Sequence, residues 1–113
     1  MKVRLSENDC QAIQTLYRKI NDDFQVNKII LFGSRARDDA QEYSDIDLLI
    51  LTNKTRTKKD RYDLSSISAD VSIDYGVGLS CLYYNANDWK SNEDINPLLK
   101  VNIECDGVEI DLQ

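Results

Sequence analysis

The chain has 113 residues, enough for one domain with a modest core and too few for two independent cores. Hydrophobic residues make up 42% and charged residues 30%, and the formal net charge is −6. This balance argues against a disordered chain and against broad nucleic-acid binding through a basic surface. No apolar run approaches the ~20 residues of a membrane helix, and no secretory signal is visible. We therefore expect a single cytoplasmic domain over residues 1–113 with no membrane partner.

Hydrophobic periodicity and capping residues predict helices and strands in the order αβαβαβαβ. In the first half we expect a helix over about 7–22, a turn at 21–23, a strand at 28–32, a short helix at 35–40, a turn at 41–44 and a strand at 45–51. In the second half we expect a loop at 52–59, a helix from Asp60 to a C-cap at Gly76, a strand at 79–84, a short turn at 87–89 and a loop at 91–96. A helix from Asn96-Pro97 to Gly107 and a strand at 108–110 complete the chain.

The chain contains three cysteines and no histidine. Cys10, Cys81 and Cys105 lack the Cys-x-x-Cys spacing of zinc and redox sites, so we interpret them as ordinary reduced thiols of the kind that is usually buried. The absence of histidine excludes Ser-His and Cys-His nucleophiles. Any metal must be bound by oxygen ligands, which favours Mg²⁺, Mn²⁺ or Ca²⁺.

The glycine at the end of the first predicted strand begins the stretch that carries chemistry. Gly33 lets the backbone approach a ligand closely, and the helix expected after it offers free N–H groups and a positive dipole end to a phosphate. The Ser34 hydroxyl can donate to a phosphate oxygen, and Arg35 or Arg37 can neutralise developing charge. These residues predict a phosphate-binding turn.

Two carboxylates open the second predicted strand. Asp45 and Asp47 are two residues apart, so both side chains point to one face, with α-carbons about 6.6 Å apart. A divalent cation between them relieves their repulsion and can bridge to phosphate oxygens. A chance acidic strand start explains Asp45 but explains Asp47 poorly, because an acid followed by the apolar run at 48–51 needs a partner. The pair predicts a metal site at a strand entrance, beside a cleft.

This motif resembles the nucleotidyltransferase superfamily that includes DNA polymerase β. It runs Gly33-Ser34-Arg35-Ala36-Arg37, then, after ten residues between Ser34 and Asp45, Asp45-Ile46-Asp47, with Ser44 immediately before the acids. It looks most like the minimal bacterial and archaeal members and covers residues 28–51 strongly. The resemblance implies an α/β fold with a small, mostly antiparallel or mixed sheet of about four strands flanked by helices.

The resemblance also implies a function and a set of site residues. The nucleotide would be bound by Gly33, Ser34, Arg35, Arg37 and Ser44. Asp45 and Asp47 would be the catalytic ligands of Mg²⁺ or Mn²⁺. The implied reaction transfers a nucleoside monophosphate, AMP from ATP or its counterpart from another nucleoside triphosphate, to a hydroxyl of a protein or small molecule. Many minimal members are antitoxins encoded beside a helical HEPN toxin, so such a toxin is the implied partner.

The family's third carboxylate, on a later strand, has no counterpart in the matching run at 77–83. Asp74 is nearest in sequence but falls at a predicted helix end, and Glu109 and Asp111 are weaker candidates. Two hypotheses therefore stay open: an enzyme, or an antitoxin-like module that binds nucleotide and neutralises a toxin by occlusion. A phosphoacceptor domain is disfavoured, because its Asp ends a parallel strand whereas Asp45 and Asp47 begin theirs.

Two further groups have a structural and a functional interpretation. The basic loop from Lys54 to Lys59 could steer a nucleotide or an acidic partner, although a solvated loop is favoured. Tyr83, Tyr84 and Trp89 could stack on a base, although packing in the core or sheet is favoured.

Overall fold

A computed structural model of the protein describes residues 5–33, 45–54, 57–91 and 95–110. The helices and strands of these residues are, in chain order, α1 (Glu7–Phe24), β1 (Val26–Phe32), β2 (Ile46–Thr52), α2 (Lys58–Tyr75), β3 (Leu79–Asn85), α3 (Ala86–Ser91), α4 (Pro97–Asp106) and β4 (Val108–Glu109). The helix expected at 35–40 and the turn at 41–44 lie outside the described residues, as does part of the loop at 91–96.

The strands form one mixed sheet in the order β3-β2-β1-β4. β1 is antiparallel to both β2 and β4, whereas β2 and β3 are parallel and are joined through α2. The expected small mixed sheet of four strands flanked by helices is confirmed. Because β2 lies between β1 and β3, its first residues are positioned by both neighbours.

Strand β2 is buried on both faces, which explains its nearly continuous apolar sequence. Leu48 and Ile50 pack in a core cluster formed with α1 and α2. Leu49 and Leu51 pack on the other face in a second cluster, with Trp89 of α3 and Ile103 of α4. Strand β2 is therefore covered on both of its faces, whereas Asn27 and Lys28 of β1 are exposed.

Reciprocal hydrogen bonds set where the two long helices begin. The Ser6 hydroxyl accepts from the Asp9 N–H at 3.0 Å, and the Asp9 carboxylate accepts from the Ser6 N–H at 2.9 Å. Thr57 and Asp60 form the same capping box at 3.1 and 3.0 Å. The prediction that α2 starts at Asp60 was therefore wrong, because Asp60 is the third helical residue and Thr57 is the cap.

The turn predicted at 21–23 was also wrong, because α1 continues to Phe24. Ile20 and Phe24 are both buried in the core, and one more helical turn is needed to place Phe24 there. The helix ends at Gln25, which has a positive φ of 53° and whose N–H donates to the Asn21 carbonyl at 2.8 Å. The Asn21 side chain also accepts from the Val26 N–H. Asn21 is thus a helix-ending residue rather than a turn residue.

Several strand ends differ from prediction because cross-strand pairing extends them. Val26 pairs with Thr52, which begins β1 two residues early and ends β2 one residue late. Thr52 also pairs with Asn85, which lengthens β3 by one residue. The expected short turn at 87–89 is the helix α3, and Asp45 precedes β2 rather than opening it.

The aromatic residues Tyr83 and Trp89 are buried, one in each core cluster, so the packing interpretation is confirmed for both. Tyr84 is half-buried, and its ring centroid lies 5.5 Å from that of Trp89. None of the helices in the described ranges is both long and apolar enough to cross a membrane.

The expectation of buried thiols holds only in part. Cys10 and Cys105 are exposed, whereas Cys81 on β3 is half-buried. Burial raises the pKa of the Cys81 thiol from 9.0 to about 11, and the negative charge of Asp47 adds to the shift. The three thiols are therefore in different environments.

Ionisation of Cys81 is expected to make the folded state less stable at alkaline pH. Between pH 9 and 11 the folded state keeps the thiol proton that the unfolded chain has lost, so stability falls as pH rises. We expect the free energy of unfolding to fall by about 2 to 3 kcal/mol more in wild type than in Cys81→Ala over this range. Urea titrations at several pH values measure this difference. Cys10→Ala should keep the wild-type slope, and equal slopes for wild type and Cys81→Ala would contradict the assignment.

Candidate functional site

Three chain segments meet at one end of the sheet. β1 ends there at Gly33, β2 begins there after Asp45, and β3 begins there after Gly78. Phe32 is the register partner of Asp47, and the Ile46 N–H donates to the Gly78 carbonyl at 2.8 Å. The antiparallel β1–β2 pair and the parallel β2–β3 pair thus place both acids at this end of the sheet.

Asp47 lies against Gly33. Gly33 has a positive φ of 75°, a conformation that L side chains rarely adopt. A Cβ added to Gly33 would overlap the carboxylate of Asp47 and would lie 3.1 Å from its Cγ. The missing side chain therefore makes room for the acid as well as for the turn. Gly33 was predicted to let a ligand approach the backbone, and what the structure shows is that its missing side chain leaves room for Asp47.

Asp45 has the same relation to a second glycine. A Cβ at Gly78 would overlap the Asp45 carboxylate and would lie 3.2 Å from its Cγ. No special φ requires this glycine, so the space for Asp45 is the physical reason for it. Gly78 was not among the predicted site residues, although its place immediately before β3 and two residues after the C-cap Gly76 was a visible signal.

The two carboxylates suit an oxygen-ligated divalent cation. Asp45 is exposed and Asp47 is half-buried, while Leu49 and Leu51 continue the same face of β2 into the core. The acids therefore stand at the entrance of a buried strand, with Asp45 open to solvent. Carboxylate oxygens are the ligands that Mg²⁺ and Mn²⁺ prefer, and two acids so close are stabilised when a cation neutralises them.

The parallel register identifies the residue of β3 that stands beside Asp47. Asp47 pairs with Ser80 and Leu49 pairs with Leu82, and register partners on neighbouring strands share a face of the sheet. Ser80 is exposed. On β3, the position best placed to support the Asp45/Asp47 pair therefore carries a hydroxyl instead of a carboxylate.

The other candidates for a third carboxylate lie elsewhere. Asp74 is exposed in the last turn of α2. Glu109 lies on β4, where it pairs with Ile30 and forms an ion pair of 3.6 Å with Lys28. Asp111 is outside the described residues. Among the residues that the structure describes, no cluster of three His, Cys, Asp or Glu side chains could hold a metal.

The remaining predicted site residues divide into two groups. Ser34, Arg35, Arg37 and Ser44 lie outside the described residues, between the placed residues Gly33 and Asp45. Lys54 follows the far end of β2, and the seven residues of that strand put it on the order of 20 Å from the acids. Steering of nucleotide into the site by Lys54 is therefore not supported by the geometry.

Known proteins share both the sequence pattern and the fold. A family model described as a nucleotidyltransferase domain matches residues 13–112. The chain is 36% identical over 93 residues to MJ1305 of Methanocaldococcus jannaschii, assigned by name to the protein adenylyltransferases, covering 79% of this chain and 60% of the relative. The chain spans about three fifths of the length of the curated relatives it matches.

Two solved structures have the same fold at low sequence identity. One is a toxin-antitoxin complex with AMP-PNP, with a TM-score of 0.65 and 17% identity over 96% of this chain and 75% of that chain. The other contains the tri-AMPylated Shewanella oneidensis HEPN toxin with its MNT antitoxin, with a TM-score of 0.57 and 17% identity over 94% of this chain and 71% of that chain. Together with the family match, the mixed sheet and the paired acids show that the chain belongs to the nucleotidyltransferase domain family.

Proposed function

We propose that this chain is a metal-dependent nucleotidyltransferase that transfers AMP from ATP to a hydroxyl of a protein partner or small molecule. The observation that carries the proposal is the arrangement of Asp45 and Asp47, each of which packs against a glycine at the same end of the sheet. Gly78 has no positive φ that would require a glycine, and at both positions a side chain would overlap the carboxylate beside it. Such a pair is suited to binding a cation–triphosphate complex.

The choice of AMP and of a toxin partner is supported by the similar proteins. The curated relatives are assigned by name to the protein adenylyltransferases. One structural neighbour was solved with AMP-PNP, and another is named for an AMPylated HEPN toxin bound to an MNT antitoxin. We therefore propose a HEPN-type toxin as the partner of this chain and the cytoplasm as the place where the two meet.

Each residue of the site has a role in the proposed reaction. Asp45 and Asp47 would hold Mg²⁺ or Mn²⁺, while Gly33, Ser34, Arg35, Arg37 and Ser44 would bind the triphosphate. The bound cation would neutralise charge on the phosphates and favour ionisation of the attacking hydroxyl. The hydroxyl gives up its proton to solvent and its oxygen forms a bond to the α-phosphorus. The bond between this phosphorus and the bridging oxygen to the β-phosphate breaks, and pyrophosphate leaves. The half-buried setting of Asp47 strengthens its electrostatic interactions.

A transfer assay tests this proposal directly. The purified chain is incubated with a HEPN-type partner, Mg²⁺ or Mn²⁺ and each nucleoside triphosphate labelled at the α-phosphate. We expect label on the partner with ATP, and mass spectrometry should locate the modified hydroxyl. Transfer should be absent with the Asp45→Asn/Asp47→Asn variant. Binding of ATP and metal without transfer from any nucleotide would contradict the enzyme proposal.

The second candidate function is neutralisation of the toxin by occlusion, and Ser80 is the observation that favours it. A serine beside Asp47 leaves β3 without an acid to complete the metal site. If the Asp45→Ala/Asp47→Ala variant still neutralises the toxin at equal expression and equal binding, occlusion is the function. If neutralisation is lost while the complex still forms, catalysis is the function.

Ser80→Asp is expected to increase the transfer rate by about tenfold or more, because it places a carboxylate beside Asp47 where a second cation could be bound. Ser80 is exposed, so the fold should tolerate the change. Initial rates over a Mn²⁺ titration measure the effect. Ser80→Asn is the size-matched neutral control. A Ser80→Asp rate at or below the wild-type rate would show that the site does not lack this ligand.

A further inference from the structure

The outward side of α2 carries an apolar stripe that no described element covers. Tyr62, Ser66, Ala69 and Ile73 recur at intervals of four, three and four residues and are all exposed. Such spacing places side chains along one side of a helix. Leu64 and Val71 occupy the opposite side and are buried in the core. We call the four exposed residues the outer α2 face.

The outer α2 face has large residues at its ends and small ones at its centre. Tyr62 is 77% exposed and Ile73 is 79% exposed, the highest values among the large hydrophobic residues described. Ser66 and Ala69 between them would let another helix approach closely. Exposed apolar surface of this shape, on a helix of 18 residues, is typical of a contact between helices.

Most of the charges at the two ends of α2 are unfavourable for an isolated helix. Lys58 and Lys59 lie in the first turn, where the helix dipole is positive, and the capping acid Asp60 offsets only part of their charge. Asp74 lies in the last turn, where the dipole is negative. The last turn contains no basic residue. This arrangement costs stability in the isolated helix. It becomes favourable when a second helix with the same charges lies antiparallel, because each basic end then meets an acidic end.

We propose that the outer α2 face binds the same face of a second copy of this chain, with the two helices antiparallel about a two-fold axis. The face is self-complementary about a point midway between Ser66 and Ala69. Tyr62 of one copy then meets Ile73 of the other, and Ser66 meets Ala69, as a two-fold contact requires. Lys59 of each copy lies about 3 Å along the helix axis from the level of Asp74 of the other, an offset that the long lysine side chain can span. The apolar and the charge pattern both match a second copy, which is the occupant we propose.

One pair of like charges opposes the contact. Asp63 and Asp70 approach each other across the same axis, which weakens the dimer that the apolar and Lys59–Asp74 contacts favour. Asp70→Asn should therefore strengthen the association. Asp22→Asn is the charge-matched control, because it removes an equal charge from α1 instead of α2. It should leave the dissociation constant of the dimer unchanged.

Sedimentation equilibrium of the 113-residue chain over a wide concentration range tests the proposal. We expect a monomer–dimer equilibrium whose dissociation constant rises more than about tenfold in Tyr62→Glu and in Ile73→Glu. Leu98→Glu is the matched control, because Leu98 is 68% exposed on α4. Circular dichroism and thermal unfolding establish that each variant is folded.

A charge exchange distinguishes the antiparallel dimer from other contacts. Lys59→Glu and Asp74→Lys should each raise the dissociation constant of the dimer. The double variant should return it towards the wild-type value, because exchanging the two charges restores the attraction between the copies. A chain that stays monomeric at millimolar concentration would overturn the proposal. Equal weakening by Leu98→Glu, or no rescue in the double variant, would also overturn it. These outcomes are independent of the transfer assay, because association is measured without nucleotide or toxin.

Discussion

Asp47→Asn is expected to lower the rate of nucleotide transfer at least about a hundredfold. The amide has nearly the size of the carboxylate but no charge, so it removes a negative oxygen ligand from the cation while keeping the packing against Gly33. Because Asp47 is half-buried at the end of the sheet, we expect the free energy of unfolding to stay within about 1 kcal/mol of wild type. Initial transfer rates and urea titrations measure the two effects.

The loss should have the signature of a metal ligand. A higher concentration of Mn²⁺ should recover part of the activity of Asp47→Asn, because the weakened site then fills more completely. Asp22→Asn, an exposed acid on α1, is the control for the general loss of one negative charge. If Asp22→Asn and Asp47→Asn have equal rates, Asp47 is not part of the site.

Substitution of three glycines by alanine should separate the positioning of the acids from backbone strain. Gly76 has a positive φ of 65° and nothing within 4 Å of an added Cβ, so Gly76→Ala tests strain alone. Gly78→Ala tests overlap with Asp45 alone, because no positive φ is required there. Gly33→Ala combines a positive φ of 75° with overlap of Asp47. The three variants form a matched set.

We expect activity and stability to respond independently. Gly76→Ala should lower the free energy of unfolding by about 1 kcal/mol and leave the transfer rate unchanged. Gly78→Ala should change stability by less than about 1 kcal/mol but lower the rate about tenfold or more, because the short Asp45 side chain rotates away from the added methyl group. Gly33→Ala should show both effects. The same transfer rate in all three variants would contradict the view that the glycines hold the acids.

The sequence motif predicted the main residues of the candidate site because their relation is local. Gly33 ends a β-branched run, and Asp45 and Asp47 differ by two positions, so period-two geometry alone puts the acids on one side. The apolar run after Asp47 likewise indicated that β2 is buried. Neighbouring residues determine such features, and no knowledge of the fold is needed to read them.

Errors in the predicted elements occurred where core packing or a second local hydrogen bond outweighed the local signal that had been used. Residues 21–23 have turn composition, yet α1 continues because Phe24 is needed in the core. Asp60 resembles a helix start, but its carboxylate accepts from the Thr57 N–H and makes Thr57 the cap. In both cases a hydrogen bond or a core contact of known type decided between two locally acceptable boundaries.

The sequence by itself determined the class of fold and the pair of acids, and it predicted the turn at Gly33-Ser34 as a phosphate-binding turn. Only the tertiary structure placed Gly78 against Asp45 and Ser80 beside Asp47. The two residues of each pair are 33 positions apart in the chain, and the parallel register of β2 and β3 brings them together. A shift of that register by one residue would turn Ser80 to the other face. Register depends on packing across the whole sheet, and for that reason no local pattern could predict the surroundings of the two carboxylates.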